Sequence, residues 1–128
     1  MAKKIYVNLP VADLDRSKAF FSALGFDFYP EFTNDVGACL IVSESIFVML
    51  LTRPFFATFT SKAIADSHSS TEVLVCLSCG SRAEVDELVQ KAVAAGGKTP
   101  RAPQEHDSMY GHGFEDLDGH IWELIFQP

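Results

Sequence analysis

Cysteines are few in this sequence, and long apolar runs are missing. Only 3 of the 128 residues are cysteine, an odd number without the spacing of a disulfide framework, which favours a reducing compartment. No apolar run approaches the roughly 18 residues that a membrane-spanning helix needs. The first residues also lack the apolar stretch and cleavage site of a signal peptide. We therefore expect a cytoplasmic protein without a membrane segment.

Basic residues are also scarce. The chain has 10 lysines and arginines against 17 aspartates and glutamates, for a net charge of -7. Nucleic acids and anionic membrane surfaces attract basic patches, so this charge argues against both as partners. The glycine-rich nucleotide motifs, the nucleophile elbow and the H-E-x-x-H zinc motif are all missing from the sequence. Nucleotide cofactors and the familiar hydrolase chemistries are therefore without support.

Phenylalanine, in contrast, is abundant, with 11 residues, which indicates a bulky core, an apolar cavity, or both. The first half of the chain predicts a strand, a helix with Asp13 as its N-cap and Gly25 as its stop, and then three short strands. These elements are expected at residues 5–11, 14–24, 26–30, 36–43 and 46–52.

The second half predicts the same order again. Ser81 and Glu84 have the spacing of a capping box at the start of a helix that ends at Gly96 and Gly97. A hairpin around residues 116–119 is expected to close the half. The expected elements are a strand at 71–79, a helix from 82, a short edge strand at 98–103, and strands at 109–116 and 120–126.

The repeated order predicts an α+β fold of two βαβββ modules in a single domain, 1–128. Module one is expected at about 4–52 and module two at about 72–128, joined by an arm at about 53–71. This arm is long for a connection, so we expect a lid over a site, a docking arm or a partly mobile segment.

Two stretches carry a family resemblance: VNLPVADLDRSKAFFSALGF, at 7–26, and DLDGHIWELI, at 116–125. Together they resemble the glyoxalase, bleomycin-resistance and extradiol-dioxygenase superfamily (vicinal oxygen chelate proteins), in particular a bacterial branch labelled as predicted lactoylglutathione lyases. The resemblance implies that the mixed sheets of both modules curl around a central cleft. It also implies a small-molecule ligand, a homodimer and, in the metal-using members, a divalent ion in the cleft.

The metal ligands of that superfamily come from four strand positions. By the resemblance, these positions fall on Tyr6, on Leu50 (or Met49 if the register slips by one), on Leu74 and on Glu123. Leucine cannot bind a metal, and tyrosine is an uncommon ligand for zinc, nickel or iron. Glu123 alone is a usual ligand, so we favour no metal over zinc, nickel or iron.

Alternation along the strands predicts which side chains share the cleft. If Tyr6 faces it, so does Asn8, and Cys76, Ser78 and Glu123 follow by the same argument. A few convergent polar groups among apolar neighbours are typical of a small-molecule site. The alternative is a polar network in the core that satisfies one buried acid, and the sequence leaves both open.

The last hairpin predicts a partner for Glu123. If residues 116–119 form a four-residue loop, Glu115 pairs with His120, and His112 then falls near Glu123 on the same face. A histidine and a carboxylate in contact could bind an anion, relay a proton or hold part of a metal. A loop of another length, or a bulge, would remove the pair.

One functional hypothesis is a lyase or isomerase of the glyoxalase type, acting on a small oxygenated metabolite. In it, Glu123 is the catalytic base, because burial among apolar residues should raise its pKa toward neutrality. His112 is the second catalytic candidate, and it orients the substrate together with Tyr6 and Asn8. The missing ligands count against this hypothesis, since an enediolate normally needs a metal for charge stabilisation.

A second hypothesis is metal-free sequestration of an aromatic or planar compound, as in the bleomycin-resistance members. Here the aromatic arm, which includes Phe55 and Phe56, closes over the ligand. Arg53 is a further binding candidate, for a carboxylate or phosphate group of a ligand. The acidic charge would favour a cationic ligand. A third hypothesis is a non-catalytic dimeric fold whose cleft is filled by its own side chains.

Overall fold

The first half of the chain folds as a strand, a helix and three strands, in the order that the sequence predicts. The computed structural model describes residues 2–128, which divide between Ala65 and Asp66 into two units. The sheet of the first unit has the order β1-β4-β3-β2, with β1 parallel to β4 and the other pairs antiparallel. Its elements are β1 (Ile5–Val11), α1 (Leu14–Ala23), β2 (Asp27–Phe28), β3 (Gly37–Ser43), β4 (Ile46–Thr52) and α2 (Arg53–Phe56).

Helix α1 begins and ends where its sequence predicts. The Asp13 side chain accepts a hydrogen bond from the Arg16 N–H at 3.1 Å, which satisfies one of the free amides of the first turn. Gly25 follows the helix with a φ of 99°, the left-handed conformation that glycine adopts most easily. Phe20 and Phe21 are buried on the inner face of the helix and form the core of the first unit.

The second unit repeats the architecture. Its sheet has the order β5-β8-β7-β6, with β5 parallel to β8 and the other pairs antiparallel. The predicted α+β fold of two βαβββ modules is therefore confirmed. The elements of this unit are β5 (Leu74–Ser78), α3 (Arg82–Ala94), β6 (Gln104–His106), β7 (Met109–Glu115) and β8 (Ile121–Phe126).

Helix α3 carries the predicted capping box. The Ser81 hydroxyl accepts from the Glu84 N–H at 3.0 Å, while the Glu84 carboxylate accepts from the N–H of Gly80 at 2.8 Å. Across from the helix, Trp122 and Phe114 are fully buried on the inner face of the sheet. Their rings stack with centroids 6.2 Å apart, so this pair anchors β7 and β8 beneath α3.

Two short strands differ from their predicted positions, and proline explains both. The strand expected at 26–30 contains only Asp27–Phe28, because a 3-10 turn begins at Pro30. The edge strand expected at 98–103 is wrong: β6 comes later, and Lys98 makes only an isolated bridge to Glu115. Pro100 and Pro103 lack the N–H group that a ladder of hydrogen bonds requires.

The last hairpin also differs from the prediction, by one residue. Glu115 pairs with Ile121 instead of His120, so five residues, 116–120, connect the strands. The Asp116 side chain sets this length, because Oδ1 accepts from the N–H groups of Asp118 and His120 at 2.9 and 3.0 Å. One extra loop residue exchanges the partners across the whole hairpin.

The segment predicted as an arm has two parts. The first is α2, followed by a 3-10 turn at Ala57–Phe59, and it packs on β1 and β4 of its own unit. The second, from Asp66, packs within the second unit, where the Ser67 carbonyl lies against Gly119. In residues 2–128, no helix is long and apolar enough to cross a membrane.

Candidate functional site

A pocket of about 270 Å³ lies on the sheet of the second unit. It occupies the face away from α3, because the alternate residues Trp122 and Leu124 are buried on the helix side. Strand β8 lines it with Ile121, Glu123 and Ile125, and β7 lines it with Gly111, Gly113 and Glu115. The pocket is also lined by Leu74 on β5, the loop residues Pro100, Arg101 and Ala102, Gln104 and His106 on β6, Met109, His112 and Phe114 on β7, and Leu124 on β8.

Glu123 is half-buried in the middle of this face. Its neighbours across the sheet are Gly113 on β7 and Cys76 on β5. Within the described part of the second unit, its carboxylate accepts no hydrogen bond and forms no ion pair, and its oxygens remain in contact with solvent. A half-buried carboxylate without a partner is available to a ligand, since pairing with a bound cation would compensate its lost hydration.

Cys76, Ser78 and Leu74 lie on β5 as exposed residues of the same face. Burial raises the pKa of the Cys76 thiol, and the nearby Glu123 carboxylate raises it further. Cys76 is therefore a protonated neighbour of Glu123 at neutral pH, able to donate a weak hydrogen bond. Cys79 differs: burial, followed by the charge of Glu84 and a hydrogen bond with it, raises its pKa to about 11.

His112 does not pair with Glu123. Its strand partner is Leu124, whereas Glu123 pairs with Gly113, so the side chains of His112 and Glu123 leave the sheet on opposite faces. His112 borders the pocket, but its Nε2 lies 3.0 Å from the Arg101 carbonyl and 2.9 Å from the Thr99 hydroxyl. Because the carbonyl can only accept, Nε2 carries a hydrogen. His112 thus holds the loop at the pocket border.

Asp116 is a buried titratable group that the sequence did not single out as a site residue. Only 6% of it is exposed, and its Oδ2 accepts from the Trp122 Nε1–H at 3.0 Å. Burial raises its pKa, while the charge of His120 and the hydrogen bonds from Trp122 and two backbone amides oppose that rise. Its place under β8 makes it a support of the strand that carries Glu123. A buried tryptophan that needs an acceptor is a clue the sequence did contain.

In the first unit, Tyr6 and Asn8 share the sheet face away from α1. The Tyr6 ring stacks on Phe47 with centroids 5.0 Å apart, and Asn8 pairs with Met49. Leu50 lies on the opposite face and is completely buried. Of the two alternatives for this metal-ligand position, the residue on the face of Tyr6 is therefore Met49.

The remaining predicted binding residues belong to α2. Arg53 is exposed at the first position of the helix, and Phe55 and Phe56 are half-buried. Phe55 meets the exposed Phe59 edge to face at 5.2 Å. Their role in closing over a ligand stays a prediction.

The residues present do not fit the divalent metal that the resemblance implies. Among residues 2–128, no group of three or more His, Cys, Asp and Glu side chains converges as a metal site would require. In the second unit, the ligand position on β5 holds Leu74, which has no donor atom. Glu123 with the Cys76 thiol would supply two donors, fewer than these metals usually take from a protein.

Residues 3–42 match the family described as bleomycin resistance protein-like N-terminal. Among curated protein sequences, none matches the chain significantly.

Solved structures match over nearly the whole chain. A hypothetical protein from S. aureus is 29% identical, with a TM-score of 0.83 over 98% of this chain and 95% of the other. A glyoxalase-related enzyme from Fulvimarina pelagi is 22% identical, with a TM-score of 0.84 and coverage of 100% and 90%. The fosfomycin resistance protein FosX from Listeria monocytogenes, in complex with Mn(II) and sulfate, is 17% identical, with a TM-score of 0.70 and coverage of 100% and 92%.

The fold is therefore that of the glyoxalase, bleomycin-resistance and dioxygenase superfamily, as the structural matches and the first-module family match agree. The resemblance predicted from 7–26 and 116–125 is confirmed at this level.

Proposed function

We propose that the protein binds and sequesters a small organic molecule in the pocket of its second unit, without a metal. The observation that carries the proposal is the unpartnered carboxylate of Glu123 in a largely apolar pocket. Few polar groups among apolar walls are typical of small-molecule sites. The volume of about 270 Å³ fits a ligand of one or two rings.

The donor set favours sequestration over the metal-dependent lyase reaction. In that reaction a developing enediolate needs strong electrostatic stabilisation, usually from a metal with several protein ligands. Leu74 occupies one ligand position of the second unit, which leaves Glu123 as the usual ligand there. The Mn(II) of the similar FosX complex would find too few oxygen and nitrogen donors on these two strands.

A fragment titration followed by amide NMR tests the proposal. We expect a set of small aromatic fragments to shift the amides of Gly111, Gly113 and Glu123 together, and Glu123→Gln to weaken the binding of charged fragments. Glu44→Gln is the matched control, because Glu44 is exposed in the β3–β4 turn of the other unit and carries the same charge. Fragments that leave these three amides unshifted would contradict the proposal.

A metal-dependent activity is the second candidate, since the unpartnered Glu123 beside Cys76 could also act as a general base. It would be a lyase or isomerase of the glyoxalase type. The assay uses the thiol adduct of a 2-oxoaldehyde with added zinc, nickel or iron, together with elemental analysis of the purified protein. Stoichiometric metal and turnover, both lost in Glu123→Gln, would replace sequestration by this activity.

Two further expectations belong with this proposal: a homodimer and a cytoplasmic location. Exposed apolar residues on the outer strands support the dimer, with Ile5 on β1 and Leu74 on β5 both 53% exposed. Light scattering coupled to size exclusion should then give a mass near twice 14.1 kDa, and a monomer mass would contradict it.

A further inference from the structure

We propose that the pocket of the second unit selects a planar cation, whose ring lies on the bare backbone of β7 at Gly111 and Gly113. Its charged group would meet the carboxylates of Glu123 and Glu115. This inference rests on the proposed binding function and adds to it the chemical class of the ligand.

The two glycines of β7 differ in what they tolerate. A Cβ atom at Gly113 would lie 2.8 Å from the Trp122 carbonyl oxygen, so the backbone itself requires glycine there. A Cβ at Gly111 would meet its nearest atoms, the Leu124 carbonyl oxygen and Ile125 Cγ2, at 3.6 and 3.7 Å, which are ordinary contacts. Packing therefore explains Gly113 but leaves Gly111 without a structural reason. The pocket supplies one, because both residues line it.

A missing side chain at Gly111 makes the pocket one side chain deeper at that point. Gly111 and Gly113 share the pocket face, because they pair with Ile125 and Glu123 on β8. Two glycines at this spacing expose a continuous stretch of flat peptide groups. The Ile125 side chain stands beside this floor, and Pro100 and Ala102 border the same pocket. A flat ring can lie in such a slot, whereas a puckered ring is thicker and would meet the walls.

The acidic residues of the pocket lie at its floor, and its basic residues lie at its rim. Glu123 and Glu115 are half-buried on the pocket face, two residues apart along the hairpin. Neither carboxylate forms an ion pair within the described part of the second unit. Arg101 and His106 also line the pocket, but both are exposed at its rim, and His106 lies 3.5 Å from the Asp107 carboxylate. A cationic group at the floor is therefore attracted by both carboxylates, and at Glu115 it competes with Lys98, which pairs with Glu115 across the strands.

Four small probes separate shape from charge. Benzamidine is a planar cation, benzamide its neutral planar analogue, benzoate its planar anion, and cyclohexanecarboxamidine a puckered cation. NMR titration of the full chain should give the tightest binding for benzamidine, about tenfold tighter than for benzamide, as expected for a charge-assisted hydrogen bond in a partly buried site. Benzoate should not shift the Gly111 amide at all.

Two variants locate the ring and the charge. Gly111→Ala should weaken benzamidine binding about tenfold, because the methyl group overfills the slot, while the thermal midpoint does not fall. Glu123→Gln should sharply reduce the preference for benzamidine over benzamide, the remainder coming from Glu115, and Glu44→Gln should leave it intact. If Gly111→Ala binds benzamidine like the unchanged protein, the ring does not lie on β7 and the inference is wrong.

The other outcomes are also decisive. Equal binding of benzamidine and cyclohexanecarboxamidine would overturn the planar slot, and equal binding of benzamidine and benzamide would overturn the selection of a cation. If other fragments shift Gly111, Gly113 and Glu123 while none of the four probes does, the pocket binds ligands of another class. In that case the inference fails and the proposed function stands. If no fragment shifts these amides, both fail.

Discussion

The two units share one connection order and differ in what covers the sheet face away from the helix. In the first unit, side chains cover it: Tyr6 stacks on the buried Phe47, and Leu51 covers Gly37, where a Cβ atom would lie 2.9 Å from Leu51 Cδ2. In the second unit, the corresponding face has Gly111 and Gly113. The same connection order thus carries larger side chains on this face in the first unit and a pocket lined by two glycines in the second.

The turns before β4 and β8 differ in the burial of their acidic residue. In the first unit the β3–β4 turn carries the exposed Glu44. In the second, the turn carries Asp116, buried against Trp122. The second unit therefore buries a carboxylate in the turn that precedes the strand carrying Glu123. The hydrogen bonds that Asp116 accepts therefore hold the start of that strand in place.

Replacing Asp116 by alanine should have the largest effect. It leaves the Trp122 Nε1–H and the amides of Asp118 and His120 without their acceptor, so we expect the free energy of unfolding to fall by about 3 kcal/mol. Urea denaturation measures it. Glu44→Ala is the control and should change the value by less than about 0.5 kcal/mol. Equal effects would mean that the two turns are energetically alike.

Replacing Gly113 by alanine should have the next largest effect. The new Cβ would lie 2.8 Å from the Trp122 carbonyl oxygen, and the strand must shift at a cost of about 2 kcal/mol. Gly111→Ala is the matched control: it should be neutral or stabilise by about 0.5 kcal/mol, since alanine is favoured over glycine in a strand. Thermal unfolding of both variants measures the difference. A destabilised Gly111→Ala would show that packing requires both glycines.

The smallest effect should come from Tyr110→Phe and should depend on pH. The Tyr110 hydroxyl donates to the Asp86 carboxylate, and this bond, followed by burial, raises the pKa of Tyr110 above its ordinary value of 10. The bond needs the protonated phenol, so its contribution of about 1 kcal/mol is complete below pH 10 and is lost as the pH rises through the folded pKa.

Chemical denaturation of the two proteins at a series of pH values tests this. We expect the stability difference between the unchanged protein and Tyr110→Phe to shrink above pH 10. Tyr29→Phe in the first unit serves as control, because the Tyr29 ring is exposed and stacks on Phe32. A difference that stays constant across the series would contradict the role of the Asp86 bond.

Much of the fold could be predicted from local patterns. Asp13 and the Ser81–Glu84 capping box start their helices as expected, and β4 has the predicted bounds, Ile46–Thr52. These features depend on residues close together in the chain, where cap chemistry and alternation act directly. The predicted order of helices and strands depended on these local features.

The hairpin register could not be predicted, because it depends on one side chain folding back on the backbone. Turn composition indicated a turn at residues 116–119, but the Asp116 carboxylate draws the amide of His120 into the loop and makes it one residue longer. That single residue exchanges the faces of the strand. As a result, His112 contacts the Arg101 carbonyl and does not form the predicted pair with Glu123.

Part of the candidate site could be predicted from the alternation of side chains along the strands. Alternation along β8 and β5 correctly grouped Glu123 with Cys76 on one face. The contribution of Gly111 was not visible, since a glycine in a strand can equally mark a bulge or a close approach. Gly111 and Gly113 are told apart only by the space around them in the folded sheet, where a Cβ atom would fit at the first and clash at the second.

Gly119 ties the hairpin to the segment that enters the second unit. Its φ is 85°, and a Cβ atom there would lie 2.7 Å from the Ser67 carbonyl oxygen. The entering segment and the turn therefore pack in direct contact, with no room for a side chain between them. Amide hydrogen exchange at Asp118 and His120 should consequently slow and quicken together with that at Ser69 and Ser70, as one locally unfolding unit. A label on the entering segment would thus report the state of the strand that carries Glu123.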